Sequence, residues 1–141
     1  KGWDFVDTTD YSNYDIRDHF GNIIGIKVTE VHDDFCILEM PVTERLYNPI
    51  GTVHGGCLYT LADTAAGIAA ASDGNAGPTL QGDMYFLRPI IDTEKLICEA
   101  SVIKRGRRIR VVESVIMDDK GNEVARAMMQ YVYLDKNVVR Q

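Results

Sequence analysis

The segment His54-Gly55-Gly56-Cys57-Leu58-Tyr59-Thr60-Leu61-Ala62-Asp63-Thr64-Ala65-Ala66-Gly67-Ile68-Ala69-Ala70-Ala71 decides how the rest of the chain is read. Two glycines open it, Leu, Ala, Tyr and Ile then dominate without a proline, and the pattern is that of one long helix. Ala65, Ala66, Gly67, Ala69, Ala70 and Ala71 are too small to fill space by themselves, so another element must approach the helix backbone closely and the helix must be buried. The turn formers Asn48-Pro49-Ile50-Gly51 lead into it.

On both sides of this helix the hydrophobic period is two, the spacing of strands. Ile24, Ile26 and Val28 alternate, as do Cys36, Leu38 and Met40, with a turn around His32-Asp33-Asp34 between them and Pro41 at the end. A short helix is expected before them, near Asp15 to Phe20. Downstream a strand is expected from Thr79 to Leu87. Three long ones follow, marked by Leu96, Cys98, Ala100 and Val102, then Ile109, Val111, Val115 and Met117, then Val124, Met128, Val132 and Leu134. Lys104-Arg105-Gly106-Arg107 and Asp118-Asp119-Lys120-Gly121-Asn122 read as hairpin turns. Strands joined mainly by hairpins around a single helix give an α+β fold with the helix against one sheet face.

Composition sets the outer limits. At 141 residues with 45% hydrophobic and 26% charged side chains, the chain reads as one globular domain over 1–141, with 1–20 as a polar and aromatic N-terminal extension. A formal net charge of −6 argues against a protein that coats nucleic acid. The least polar stretch contains Asp63 and owes its character to small residues, so no membrane span is expected. No secretory leader is visible, which makes the cytoplasm the expected location. Cys36, Cys57 and Cys98 fit neither a disulfide framework nor a zinc knuckle and read as reduced, buried small hydrophobes. His19, His32 and His54 are scattered without ligand spacing, so no metal is expected, and no Gly-x-Ser-x-Gly elbow marks a serine nucleophile.

The chemistry therefore concentrates at the helix. Asp63 lies in its interior, where a carboxylate is costly unless paired or used. The helix pattern leaves two readings open: a working carboxylate, or a member of a polar stripe with Thr60 and Gly67 facing solvent or a subunit boundary. Gly55 and Gly56 stand where unpaired N–H groups and the positive end of the dipole can hold an oxyanion, although a glycine pair also makes a plain turn. His54 alone fits a structural hydrogen-bonder as well as a catalytic group.

In combination, Asn48-Pro49-Ile50-Gly51-Thr52-Val53-His54-Gly55-Gly56, Leu61-Ala62-Asp63, Thr79 and Arg88-Pro89 resemble the signature of hotdog-fold acyl-CoA thioesterases of the phenylacetyl-CoA and 4-hydroxyphenylacetyl-CoA type, over residues 20 to 135. The resemblance implies a long central helix wrapped by a curved antiparallel sheet. It implies acyl-CoA hydrolysis, with Asp63 as general base or nucleophile, Gly55 as backbone donor to the thioester oxygen, Asn48 and His54 as helpers around that carbonyl, and Thr79 orienting the attacking water. Coenzyme A enters only as part of the substrate; no separate cofactor is implied. It further implies a homodimer or homotetramer, with Asp63 from one chain facing Asn48, His54 and Gly55 of the other. Gln81, Tyr85 and Phe86 depart from the family pattern, so no acyl-group preference carries over. The run Lys104-Arg105-Gly106-Arg107-Arg108-Ile109-Arg110 holds five of the 15 basic residues, and Arg105, Arg107 and Arg108 are the expected contacts to the phosphates of coenzyme A. Two other activities suit the same scaffold: an acyl-thioester dehydratase or hydratase, and an acyl-CoA-binding module without turnover.

Overall fold

The computed structural model describes residues 18–133 and carries strands on both sides of the long helix. Helix α1 (His19–Ile23) precedes strands β1 (Lys27–His32) and β2 (Phe35–Pro41). After a 3-10 turn at Glu44–Leu46 come helix α2 (Gly55–Ala70) and strands β3 (Thr79–Phe86), β4 (Lys95–Arg105), β5 (Ile109–Met117) and β6 (Glu123–Val132). The strands form a six-stranded antiparallel sheet in the order β1-β2-β4-β5-β6-β3. A sheet of that size is about 24 Å across and a helix only about 10 Å wide. Because α2 nevertheless touches all six strands, the sheet curls around it. This is the α+β hotdog architecture, with β3 as an outer strand beside β6.

The small residues of α2 permit this wrapping. Ala62, Ala65, Ala66, Ala69 and Ala70 are fully buried, and the hydroxyl of Ser114 in β5 comes close enough to donate to the Ala62 carbonyl at 2.8 Å. Cys36 and Cys98 lie in the same core, where burial pushes the Cys98 thiol up to about 12. Cys57, expected to be buried, is only half-buried, in the first turn of α2.

Four expectations shift. The early helix forms at His19–Ile23, where Asp18 caps it by accepting from the Gly21 N–H at 3.1 Å. Ile24, expected in the first strand, instead ends that helix, and Gly25 turns the chain with φ 86° before β1 begins. In β5 the inward set is Arg110, Val112, Ser114 and Ile116, so Ile109, Val111, Val115 and Met117 lie on the other face. In β6 it is Ala125, Ala127, Met129 and Tyr131 that face α2, while Met128 and Val132 point away. Both faces of these strands carry apolar residues, so alternation alone selected the wrong one. Residues 1–17 of the expected extension, and Leu134, lie outside the described residues. Among the described residues no helix is long and apolar enough to cross a membrane.

Candidate active site

The head of α2 is built by the loop before it. Asn48 Oδ1 accepts from the N–H groups of Ile50 and Thr52 at 3.1 and 3.0 Å, and its Nδ2 donates to Thr52 Oγ1 at 2.7 Å. Gly51, at φ 85°, takes the left-handed conformation that closes this turn. The His54 N–H then donates to the Leu46 carbonyl at 2.8 Å, which fixes where α2 starts.

His54 is the N-cap of α2, and its Nδ1 accepts from the Gly56 N–H at 2.8 Å. A ring nitrogen that accepts is unprotonated, so in the neutral ring the proton sits on Nε2. Gly56 is required for this cap, since a Cβ there would stand 2.9 Å from the His54 ring. The Cys57 N–H is held by the His54 carbonyl at 2.9 Å. That leaves the Gly55 N–H as the donor at the helix head with no partner among the described residues, at the positive end of the dipole. It opens onto a cavity of about 270 Å³ lined by Asn48, Thr52, Leu58, Phe86 and Arg88 among others. Here an anionic oxygen has a ready donor, apolar walls, one remaining Asn48 N–H and an exposed guanidinium at the rim.

Asp63 lies eight residues further along α2, about 12 Å up the axis, and does not line that cavity. It is partly buried. Its Oδ1 accepts from Thr79 Oγ1 at 2.8 Å and from the Tyr131 hydroxyl at 2.7 Å. Thr79 reaches it because a β-bulge between Thr79 and Gln81 puts Thr79 on the helix side of β3, opposite Tyr131 in the β3–β6 register. The structure places Asp63 as a partly buried, hydrogen-bonded carboxylate, an arrangement that suits a working group and a position at a subunit boundary alike. Burial first, and then the charge of Asp63, push the ionisation of Tyr131 far above the usual phenol range, so its hydroxyl stays a donor. Tyr131 escaped sequence reading. Its one signal was a phenol in an apolar strand, which needs a partner when buried.

The basic run forms the β4–β5 hairpin, at the opposite end of α2. A second bulge, between Val102 and Lys104, turns Arg105 inward across from Arg110. Arg105 donates to Asp34 through Nε at 2.7 Å and to the Ala70 carbonyl through Nη1 at 2.9 Å, and it contacts Asp34 again through Nη2. Arg110 donates to the same Ala70 carbonyl at 2.6 Å and pairs with Asp73 at 2.8 Å, its guanidinium over the Tyr133 ring at 3.6 Å. Arg105, expected at a phosphate, therefore has its donors engaged in closing the helix end. Arg107 and Arg108 are exposed on the turn.

The thioesterase superfamily profile matches residues 50–125, and the profile of a domain of unknown function matches residues 19–80. Acyl-coenzyme A thioesterase PaaI of Escherichia coli strain K12 is 31% identical over 109 residues, 77% of this chain and 78% of that one. The structure of the E. coli PaaI protein from the phenylacetic acid degradation operon superposes with a TM-score of 0.80 at 28% identity, covering 84% of this chain and 86% of the other. A hypothetical thioesterase of Streptococcus pneumoniae TIGR4, solved with coenzyme A, superposes with a TM-score of 0.74 at 25% identity over 77% of this chain and 88% of that one. The chain belongs to the thioesterase superfamily, as a hotdog-fold thioester hydrolase of the PaaI type.

Proposed function

We propose that the protein hydrolyses acyl-CoA thioesters to the free acid and coenzyme A. The observation that carries this reading is the main-chain donor left open among the described residues at the head of α2, the Gly55 N–H on the cavity. A thioester carbonyl placed there develops its negative charge against a fixed N–H and the helix dipole, which stabilise the tetrahedral intermediate more than the neutral ground state. Asp63 acts as general base or nucleophile. As base it takes a proton from the water attacking the carbonyl carbon and returns it to the departing sulfur, so the C–S bond breaks and the acid and thiol leave. Thr79 steadies the carboxylate and the water beside it. Asn48 and His54 shape the helix head, His54 by taking up the Gly56 N–H so that Gly55 remains open.

Within one chain Gly55 and Asp63 stand about 12 Å apart along α2, too far to act on one carbonyl. The reading therefore requires a second copy, related by a two-fold axis, that brings its own helix head to this Asp63. Outer strand β3 offers the surface, with Leu80, Tyr85 and Phe86 each more than half exposed. Arg107 and Arg108 on the β4–β5 turn are the candidate partners of the nucleotide phosphates.

The test is a panel of short, medium and aromatic acyl-CoAs, followed for free thiol, hydrated product and binding. Thiol release supports hydrolysis; hydrated product alone identifies a hydratase, and binding without turnover a carrier. Asp63→Asn is expected to lower kcat by about 10³-fold in a folded protein. Near-normal thiol release by that variant overturns the assignment. Co-expression of Asp63→Asn with an inactive Gly55 variant should restore roughly a quarter of wild-type activity, because a mixed dimer holds one intact composite site.

A further inference from the structure

We infer that Tyr131 is a positioning residue for hydrolysis, one that fixes Asp63 with a single carboxylate oxygen held and the other turned out to react. This rests on the reading of Asp63 given above and deepens it. An aspartate on a helix turns readily about its side-chain torsions, and its two oxygens are equivalent until something distinguishes them. Here both hydroxyl donors converge on one of them, Tyr131 at 2.7 Å and Thr79 at 2.8 Å, both to Oδ1. Oδ2 has no partner among the described residues and is the oxygen left to meet water or a thioester carbon.

Tyr131 has a second hold on the same residue, since its hydroxyl also lies 2.7 Å from the Asp63 main-chain carbonyl. One proton shared between the two acceptors ties the side chain to its own backbone. The phenol is itself immobile. It is buried in β6, and its ring runs along the helix at Gly67, one turn beyond Asp63, where a Cβ would meet it at 3.6 Å. Placement depends on tertiary register: Thr79 and Tyr131 are direct partners across β3 and β6, so the two hydroxyls arrive side by side. The other groups around Asp63 contribute no cation. Tyr59 faces it from one turn earlier on α2, Asp83 of β3 acts on Tyr59, and Asp18 at the head of α1 is tied to Thr64 at 3.2 Å. The hydroxyls of Tyr131 and Thr79 are therefore the groups that hold the carboxylate in place.

The experiment compares Tyr131→Phe with Tyr133→Phe in the full chain. Tyr133 is the control because its ring lies against the Arg110 guanidinium at 3.6 Å and, among the described residues, its hydroxyl makes no hydrogen bond to Asp63. Two readouts are taken: kcat and KM for thiol release from the best-cleaved acyl-CoA of the panel, and the carboxyl ¹³C chemical shift of Asp63 by NMR at fixed pH, which needs no turnover. For Tyr131→Phe, kcat should fall about 10- to 100-fold with KM within about twofold, the loss of a hydrogen bond to a charged group. The Asp63 carboxyl ¹³C resonance should also shift, because Oδ1 has lost one of its two donors. Tyr133→Phe should move neither. A folded Tyr131→Phe protein with unchanged kcat overturns the inference while leaving the role of Asp63 intact. Full activity in Asp63→Asn overturns both.

Discussion

The two ends of α2 are built from the same backbone and finished in opposite ways. At the C-terminal end the carbonyls are closed off: Ala70 accepts from both Arg105 and Arg110, Ala69 accepts from the Ser72 N–H, and Asp73 balances the arginine charge. At the N-terminal end His54 caps Gly56, and the Gly55 N–H is left facing a cavity. Each end carries about half a unit of charge, positive at the head and negative at the tail. Cations at the tail stabilise the fold, whereas an open donor at the head is useful only if an anion forms there. If the open head serves the proposed hydrolysis and the closed tail serves the fold, substitutions at the two ends should fail in different assays.

The largest effect should come from the head. Gly55 is the first helical residue, where proline fits the helix and removes the N–H while adding a Cβ as alanine does, and His54 before it already has the extended conformation proline demands. Gly55→Pro should therefore lower kcat about 10²- to 10³-fold with little change in Tm. Gly55→Ala is the companion, because it adds a Cβ near the Phe86 ring at 3.2 Å yet keeps the donor. The alanine variant should lose less than about tenfold. Equal losses in the two would assign the effect to crowding of Phe86 and remove the oxyanion role from Gly55.

At the tail the effect should be on stability and smaller. Burial pushes the Asp73 carboxyl up, but hydrogen bonds from Arg110 and the Asn75 N–H, with the charges of Arg110 and Arg105, outweigh it and hold Asp73 below the usual carboxylate range. A carboxyl lowered in the folded state contributes stability above its unfolded value of about 3.9 and loses it as the pH falls through the folded value. Because Asp73 is about a third exposed and its ion pairs are screened, Asp73→Asn should cost only about 0.5 to 1 kcal/mol at pH 7. The gap from wild type should close below about pH 4. Denaturant melts at a series of pH values check this, and a gap that persisted at low pH would show that packing rather than charge is at work. The kcat of the folded variant should be unchanged.

The smallest effect is expected from the hairpin tip. Arg107→Ala with Arg108→Ala should raise KM for acyl-CoA by only a few-fold, weaken its salt dependence, and leave a truncated thioester without the nucleotide unaffected. Equal losses on both substrates would place the pair in folding or at the cavity, and no loss on either would make the tip a solvated turn.

Much of this was legible in the chain. The helix from Gly55, its need for burial, the hairpins and the α+β class follow from local spacing, which depends on residues close in sequence. His54, Gly55 and Asn48 are visible for the same reason, since the loop and cap that unite them span only nine residues, 48–56. What local pattern could not supply was the facing of residues on strands that carry apolar groups on both sides. Arg110 and Ser114 point inward in β5 where Val111 and Val115 had the stronger apolar signal.

Sequence by itself thus determined which segments fold into what, and that a carboxylate sits in the middle of a small-residue helix. Tertiary structure alone decided what that carboxylate touches. One extra residue at the bulge beside Thr79 turns a hydroxyl toward the helix, and the matching bulge before Lys104 turns Arg105 from a solvent-facing cation into a helix cap. Strand side chains alternate with period two, so a single inserted residue exchanges inside for outside. Tyr131 meets Asp63 across 68 positions of chain through strand pairing that no local window contains.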